Sequence, residues 1–324
     1  SDVSSSDLMV NVQWLMFNVQ WLMFNGKHQM IKILDLHFLD KSDTIAAFLV
    51  KTSAGPILFE TGPYSTYEHL KEALAEEGVQ PSDVKHVFVT HIHFDHAGAA
   101  WALAKEGATV YVHPFGKRHL HDPEKLWNSA KMIYQDKMEF LWGKIEGIPE
   151  DQLRTIDQGE KISIGNTEII GWHTPGHAVH HIAWQLGEDL ICGDVAGVRI
   201  QDGIVVPPCP PPDINIEDWR ASIALIRGLD VETLYLTHYG AYQDVEQHLN
   251  ELEERLQDRA DWIKPYFDQQ ADSKEITPEF EKYVREELRE NGITDEEQLQ
   301  QYENANPGWM SVAGLLRYWK KRKN

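Results

Sequence analysis

An α/β fold with a helical C-terminal extension is predicted by three features of the sequence. From residue 30 to about 240, short apolar runs bounded by Gly, Pro, Asp and Ser alternate with segments of helical periodicity. Beyond about 243 the pattern is helical to the end, and helices alone after a mixed stretch indicate an α/β core with an added helical unit. Between a strand-like run and a helix-like one sits Thr90-His91-Ile92-His93-Phe94-Asp95-His96-Ala97-Gly98, with four metal-capable side chains in six positions.

Residues 1–29 read as an added leader. They contain Ser4-Ser5-Ser6 and an immediate copy of a seven-residue apolar segment, which is too short a repeat for a solenoid. Met30 is the expected native start. The expected division is therefore leader 1–29, catalytic unit 30–242 and helical extension 243–324. Strands are expected over 31–39, 44–51, 56–60 and 85–90, with a helix over 66–77 that ends at Gly78. A helix over 99–105 and a strand over 109–113 follow the metal-capable loop. Residues 123–142 are helical and rich in aromatics (Trp127, Tyr134, Phe140, Trp142), which suits core packing or, alternatively, a pocket wall. Strands are expected again over 153–156, 161–164, 168–172, 182–186, 190–192, 198–205 and 233–237, with a helix over 214–229. Helices over 243–268, 278–291, 295–304 and 309–321 complete the chain. The last is apolar enough to dock, beside the active site or against a second subunit in a homodimer.

Composition narrows the class. Hydrophobic residues make up 42% and charged residues 25%, as in ordinary globular chains. No apolar run is long enough to span a membrane. Against 30 basic residues stand 51 acidic ones, a formal charge of −21 that repels phosphate backbones and argues against nucleic acid as a partner. Cys192 and Cys209 are the only cysteines, too few for a disulfide framework, and a reducing cytoplasm is expected.

The candidate site is built from strand ends. His91 and His93 alternate, so on extended backbone they project the same way. Asp95 and His96 lie where the chain turns and can face a second point. Three later positions have the same character: His177 after the Thr174-Pro175-Gly176 turn, Asp194 after Gly193, and His238 beside Tyr239. Imidazole and carboxylate suit divalent metals.

His-x-His-x-Asp-His, followed in order by a lone His after a Pro-Gly turn, an Asp and a His, resembles the motif series of the metallo-β-lactamase superfamily over residues 30–240. The resemblance implies a four-layer αββα sandwich with metal ligands along one edge. It implies a first metal on His91, His93 and His177, a second on Asp95, His96 and His238, and Asp194 bridging both. Two divalent ions are expected, zinc by default, with iron or manganese as alternatives. The implied reaction is hydrolysis of a small acyl substrate (an ester, thioester or lactone) by hydroxide held on the metals, with Asp95, Asp194 or a metal-bound water managing the proton. Tyr239 is a candidate oxyanion donor, weighed against a packed aromatic. The His91–His96 loop is similar to that of acyl-homoserine lactone lactonases, and the Thr174–His177 turn resembles one in glyoxalase II. Two positions depart from the family. Glu60 stands where the first motif normally has Asp, one methylene shorter, and Asp194 stands where many antibiotic-degrading members have Cys. Alternatives on the same scaffold are an iron-dependent oxidoreductase like the persulfide dioxygenases, a nuclease, and a metal-binding scaffold without turnover. His173, His180, His181 and Cys192 are expected to be structural, with His181 weighed as a support for the ligands.

Overall fold

Among the described residues, alternating side chains along twelve short strands build two mixed sheets. The structure is a computed structural model and describes residues 30–323, so the leader expected over 1–29 lies outside the described residues. The first sheet holds β1 (Ile31–Asp35), β2 (Ala46–Thr52), β3 (Gly55–Phe59), β4 (His86–Phe88), β5 (Thr109–Val112) and β6 (Leu153–Thr155), in that spatial order. β1 to β3 run antiparallel and β3 to β6 parallel. The second sheet holds β7 (Glu160–Ile164), β8 (Thr167–His173), β9 (Ile182–Leu186), β10 (Asp189–Ile191), β11 (Thr233–Leu236) and β12 (Gly240–Tyr242), also as sequential neighbours. Because β8 and β10 are each antiparallel to β9, and β11 is parallel to β10, the C-terminal ends of β8, β10 and β11 share one edge.

Period-two alternation decides which core each residue joins. Phe48, Ile57, Phe59 and Phe88 point into the space between the sheets, against Ile182, Trp184 and Ile191. Their neighbours Ala47, Leu49, Leu58, Val87 and Val89 point the other way, into a cluster with the helices that cover the first sheet. Those helices are α1 (Tyr67–Glu76), α2 (Phe94–Ala97), α3 (Ala100–Lys105), α4 (Pro114–His121), α5 (Glu124–Tyr134) and α6 (Met138–Trp142). On the far face, Leu190, Leu234 and Leu236 of the second sheet pack with Trp219 and Ile223 of α7 (Ile216–Arg227). The result is the four-layer αββα sandwich.

The C-terminal helices belong to the outer layer. Leu249, Leu252 and Leu256 of α8 (Val245–Asp268), Phe280 of α9 (Ser273–Glu290), and Val312 and Leu315 of α11 (Gly308–Lys323) share one buried cluster with the second sheet. Leu299 and Tyr302 of α10 (Glu296–Ala305) join a smaller one with Val198, Ile200 and Val206. A boundary after residue 242 therefore divides the sequence but not the core.

Several local expectations are corrected. The strand expected over 198–205 is a single bridge between Val198 and Val206, because the chain turns at Gln201 (φ 52°). α4 was not anticipated. Its polar, histidine-rich sequence hides the start signal, His113 accepting from the Phe115 N–H with Pro114 in the first turn. α9 starts at Ser273, capped by Asp272, so Pro278 lies inside it and does not mark its beginning. The aromatic stretch 123–142 breaks at Gln135 (φ 52°) into α5 and α6; Trp142 is buried, whereas Met132 and Phe140 are 76% and 71% exposed. Cys192 and Cys209 are buried free thiols. Among the described residues no helix is long and apolar enough to cross a membrane.

Candidate metal centre

The edge where β4, β8, β10 and β11 end is where the two sheets are tied to each other. The Ile182 N–H donates to the Thr90 carbonyl (2.7 Å), the Ala46 N–H to the Thr237 carbonyl (2.9 Å), and the Trp184 indole to the Val89 carbonyl (3.2 Å). His91 follows β4, His177 follows β8, Asp194 follows β10 and His238 follows β11. Asp194 depends on a turn at Gly193 (φ 51°), where a Cβ would lie 2.4 Å from Thr90 Oγ1 and 2.8 Å from His181 Nε2; glycine is required there.

Seven side chains converge in three overlapping groups: His91, His93 and His177; His91, His96 and Asp194; and Asp95, His96 and His238. In the first group His93 Nδ1 lies 2.9 Å from His91 Nε2 and 3.1 Å from His177 Nε2. In the last, Asp95 Oδ2 lies 3.7 Å from His96 Nε2 and 3.5 Å from His238 Nε2. Asp194 divides its carboxylate between them. Its Oδ2 is 3.2 Å from His177 Nε2, while its Oδ1 is 3.2 Å from His96 Nε2 and 3.5 Å from His238 Nε2. Donors at about 2.0–2.1 Å from one tetrahedral ion are roughly 3.3 Å apart, so these spacings fit cations at two centres.

The opposite ring nitrogens fix which atoms face inward. His177 Nδ1 donates to the Pro208 carbonyl (2.9 Å) and His238 Nδ1 to the Thr44 carbonyl (2.7 Å); a carbonyl only accepts, so both Nδ1 atoms carry their protons outward and both Nε2 atoms face the cluster. His96 Nδ1 lies 3.0 Å from Glu60 Oε1. Thr90 Oγ1 donates to Glu60 and so accepts from His91 Nδ1 (3.0 Å). His96 Nε2, His238 Nε2 and Asp194 Oδ1 are buried without a hydrogen-bond partner among the described residues. Three such orphans facing one another are costly unless a cation sits among them. The residues present therefore fit a pair of divalent ions.

Electrostatics separate the two groups. Burial, reinforced by His96 and His93, drives the His91 pKa well below its ordinary value, and burial takes His177 down to about 4. Both are neutral at pH 7, as ligation requires. Burial alone would lower His96 as well, but Asp194, Asp95 and Glu60 outweigh it and hold that pKa well above the usual histidine range. His238 is raised too, burial being outweighed chiefly by Asp194. Burial would raise Asp95, yet His96 and His238 hold it down at about 2.

Glu60, fully buried at φ 61°, reaches despite its extra methylene. Besides His96 it takes the Thr90 hydroxyl, the Thr90 N–H (3.2 Å) and the Thr237 hydroxyl (3.3 Å). His181 accepts from the Asp194 N–H (3.2 Å) while its Nδ1 meets the Thr174 hydroxyl (2.8 Å), so it steadies the bridging residue. His173 bonds the Ile156 carbonyl (2.8 Å) outside the cluster. Tyr239 is directed elsewhere. Burial raises its pKa, and so do the nearby carboxylates of Asp35 and Asp43. Thr90 and the carbonyls of Thr44 and Pro208 were not anticipated. A strand-end Thr is ordinary in sequence, and a backbone carbonyl leaves no mark at all.

The metallo-beta-lactamase superfamily model matches residues 43–238, more than half of the chain, and the chain belongs to that family. It is 27% identical over 174 residues to the metallo-beta-lactamase fold-containing protein ST1585 of Sulfurisphaera tokodaii, covering 52% of this chain and 66% of that one. It is 22% identical over 245 residues to the "probable metallo-hydrolase YqjP" of Bacillus subtilis, covering 69% and 76%. The crystal structure of the metallo-beta-lactamase family protein TTHA1429 from Thermus thermophilus superposes with a TM-score of 0.65 at 20% identity, over 90% of this chain and 94% of that one. A likeness at that identity concerns the fold.

Proposed function

We propose that this chain is a dinuclear metal-dependent hydrolase of a small acyl substrate: an ester, a thioester or a lactone. The observation that supports this most is the division of the Asp194 carboxylate between two groups of inward-facing imidazoles. His91, His93 and His177 would hold one ion, Asp95, His96 and His238 the other, and Asp194 both. Two such ions, zinc by default for His and Asp donors with iron or manganese as alternatives, supply Lewis acidity and a water acidified to about neutral pH. Everything else falls to the chain. Glu60 orients His96, Thr90 orients His91, and the Pro208 and Thr44 carbonyls fix the tautomers of His177 and His238. Of the two ligating carboxylates, Asp95 is the more open, its side chain 22% exposed against 5% for Asp194. A carboxylate held near 2 is a weak base, so Asp95 would relay a proton to solvent and not store it. The buried free thiols suit a reducing compartment such as the cytoplasm.

The test is a panel of small esters, thioesters and lactones with metal-loaded and chelator-stripped protein. Turnover of one class that vanishes on stripping and returns with zinc is expected. Equal activity without metal, or no turnover of any class, overturns the proposal. Iron with oxygen consumption would favour the oxidoreductase instead.

A further inference from the structure

The imidazole of His177 is held through the 207–212 loop, and that loop is held by the C-terminal helix. Five of its six residues are proline, with Cys209 between them. Proline fixes φ and has no N–H, so the segment is stiff and its carbonyls must find donors elsewhere. The Pro208 carbonyl takes the His177 Nδ1–H at 2.9 Å. Both flanking groups are engaged from the far side. The Pro207 carbonyl accepts from Asn306 Nδ2 (3.3 Å), and the Cys209 N–H donates to Ser311 Oγ (3.4 Å), whose own hydroxyl bonds Asn306 Oδ1 (3.0 Å). Further along, the Pro212 carbonyl accepts from Arg317 Nε (3.1 Å) and Lys321 Nζ (2.7 Å).

Steric contact is tighter still. A Cβ on Gly314 would lie 1.9 Å from the Cys209 oxygen and 2.8 Å from the Pro210 carbonyl carbon, so α11 passes directly against the loop backbone and only glycine fits. Asn306, Ser311 and Gly314 all lie beyond residue 238, where the family match ends.

We infer that α11 and the turn before it are part of the metal centre: Asn306, Ser311 and Gly314 are positioning residues that set His177 by fixing the 207–212 loop. This rests on the metal-binding reading above. A stiff loop transmits displacement, so pushing Cys209 moves the Pro208 carbonyl and frees or turns the imidazole. The half-site containing His177 would feel it; the one built on Asp95, His96 and His238 would not, because its supports, Glu60 and the Thr44 carbonyl, make no hydrogen bond to that loop among the described residues.

The experiment is a Zn²⁺ titration of stripped full-length protein against a chromophoric chelator, repeated with Co²⁺ to follow its visible absorption. His177→Ala identifies which binding step belongs to its half-site. Gly314→Ala is expected to weaken that step about 10–100-fold and leave the other at the wild-type value. Ser311→Ala, which cannot clash, is expected to weaken the same step by a smaller factor, with Ser311→Thr restoring it. Trp319→Phe is the control. It removes a bond from the indole to the Ala260 carbonyl at the far end of α11 without touching the loop, and is expected to lower Tm and change neither step. The inference is overturned if Gly314→Ala and Ser311→Ala leave both steps unchanged, or if all three variants weaken both steps in parallel with Tm. Wild-type protein that binds no pair of ions overturns the metal reading itself and this inference with it.

Discussion

The two halves of the candidate metal centre are supported from opposite ends of the chain. The group of His91, His93 and His177 is made of neutral imidazoles, and its later member rests on the proline loop and α11. The group of Asp95, His96 and His238 is rich in carboxylate and rests on Glu60 and the Thr44 carbonyl, both in the first 60 residues. Asp194 divides its carboxylate between them. What this teaches is that one side is preset by shape and backbone bonds while the other is preset by charge. Disturbances should therefore be separable, except at the bridge and at Glu60, which also takes the Thr90 hydroxyl that supports His91.

The largest expected effect breaks that separation. Asp194→Asn replaces one of the two bridging oxygens by an amide and is expected to empty both half-sites and to lower hydrolysis by on the order of 10³-fold, read as metal content and kcat. Removing the ions comes next. The stripped protein keeps its buried orphan donors and loses the binding energy, about 4 kcal/mol at a thousandfold excess of metal over Kd, read as a drop in Tm on chelation. Glu60→Gln then sharpens the contrast. It keeps the size of the side chain but removes the charge beside His96 and beside Thr90, which supports His91, and is expected to weaken the second half-site about 10–100-fold and the first by a smaller factor. Equal loss at both would contradict the comparison.

The smallest effect concerns the foundation of α11. Burial and the nearby Glu281 raise the Glu303 pKa to about 7, while its Oε1 accepts from the Gly308 N–H (3.3 Å). The folded chain therefore holds this proton more tightly than the unfolded one, whose pKa is about 4.5. Its contribution is complete below about 4.5 and is lost as pH rises through about 7. Glu303→Gln, which cannot ionise, is expected to flatten that decline by about 1–3 kcal/mol, seen in urea unfolding at pH 5 and pH 8.

Much of this was legible in the sequence because the ligands are side chains at strand ends, and strand ends are marked by apolar runs. His91 to His96 announce themselves by spacing, and His177 by its Pro-Gly turn. Glu60 was legible as a position but not as a geometry, since only the fold shows that its longer arm still meets His96 at 3.0 Å. The supports of His177 and His238 were not legible at all, because backbone carbonyls have no letter of their own. Nor was the role of α11. Its apolar face predicts docking, but only Gly314, where a Cβ would lie 1.9 Å from the Cys209 oxygen, says against what. Tyr239 is a neighbour of a ligand whose hydroxyl lies near the carboxylates of Asp35 and Asp43, which the sequence does not mark.

The most direct test is anomalous diffraction at the metal edges from crystals of the purified, metal-loaded protein. The account predicts two peaks flanking Asp194, one among His91, His93 and His177 and one among Asp95, His96 and His238. No peak beside Asp194, or a single ion held without His177, would contradict it.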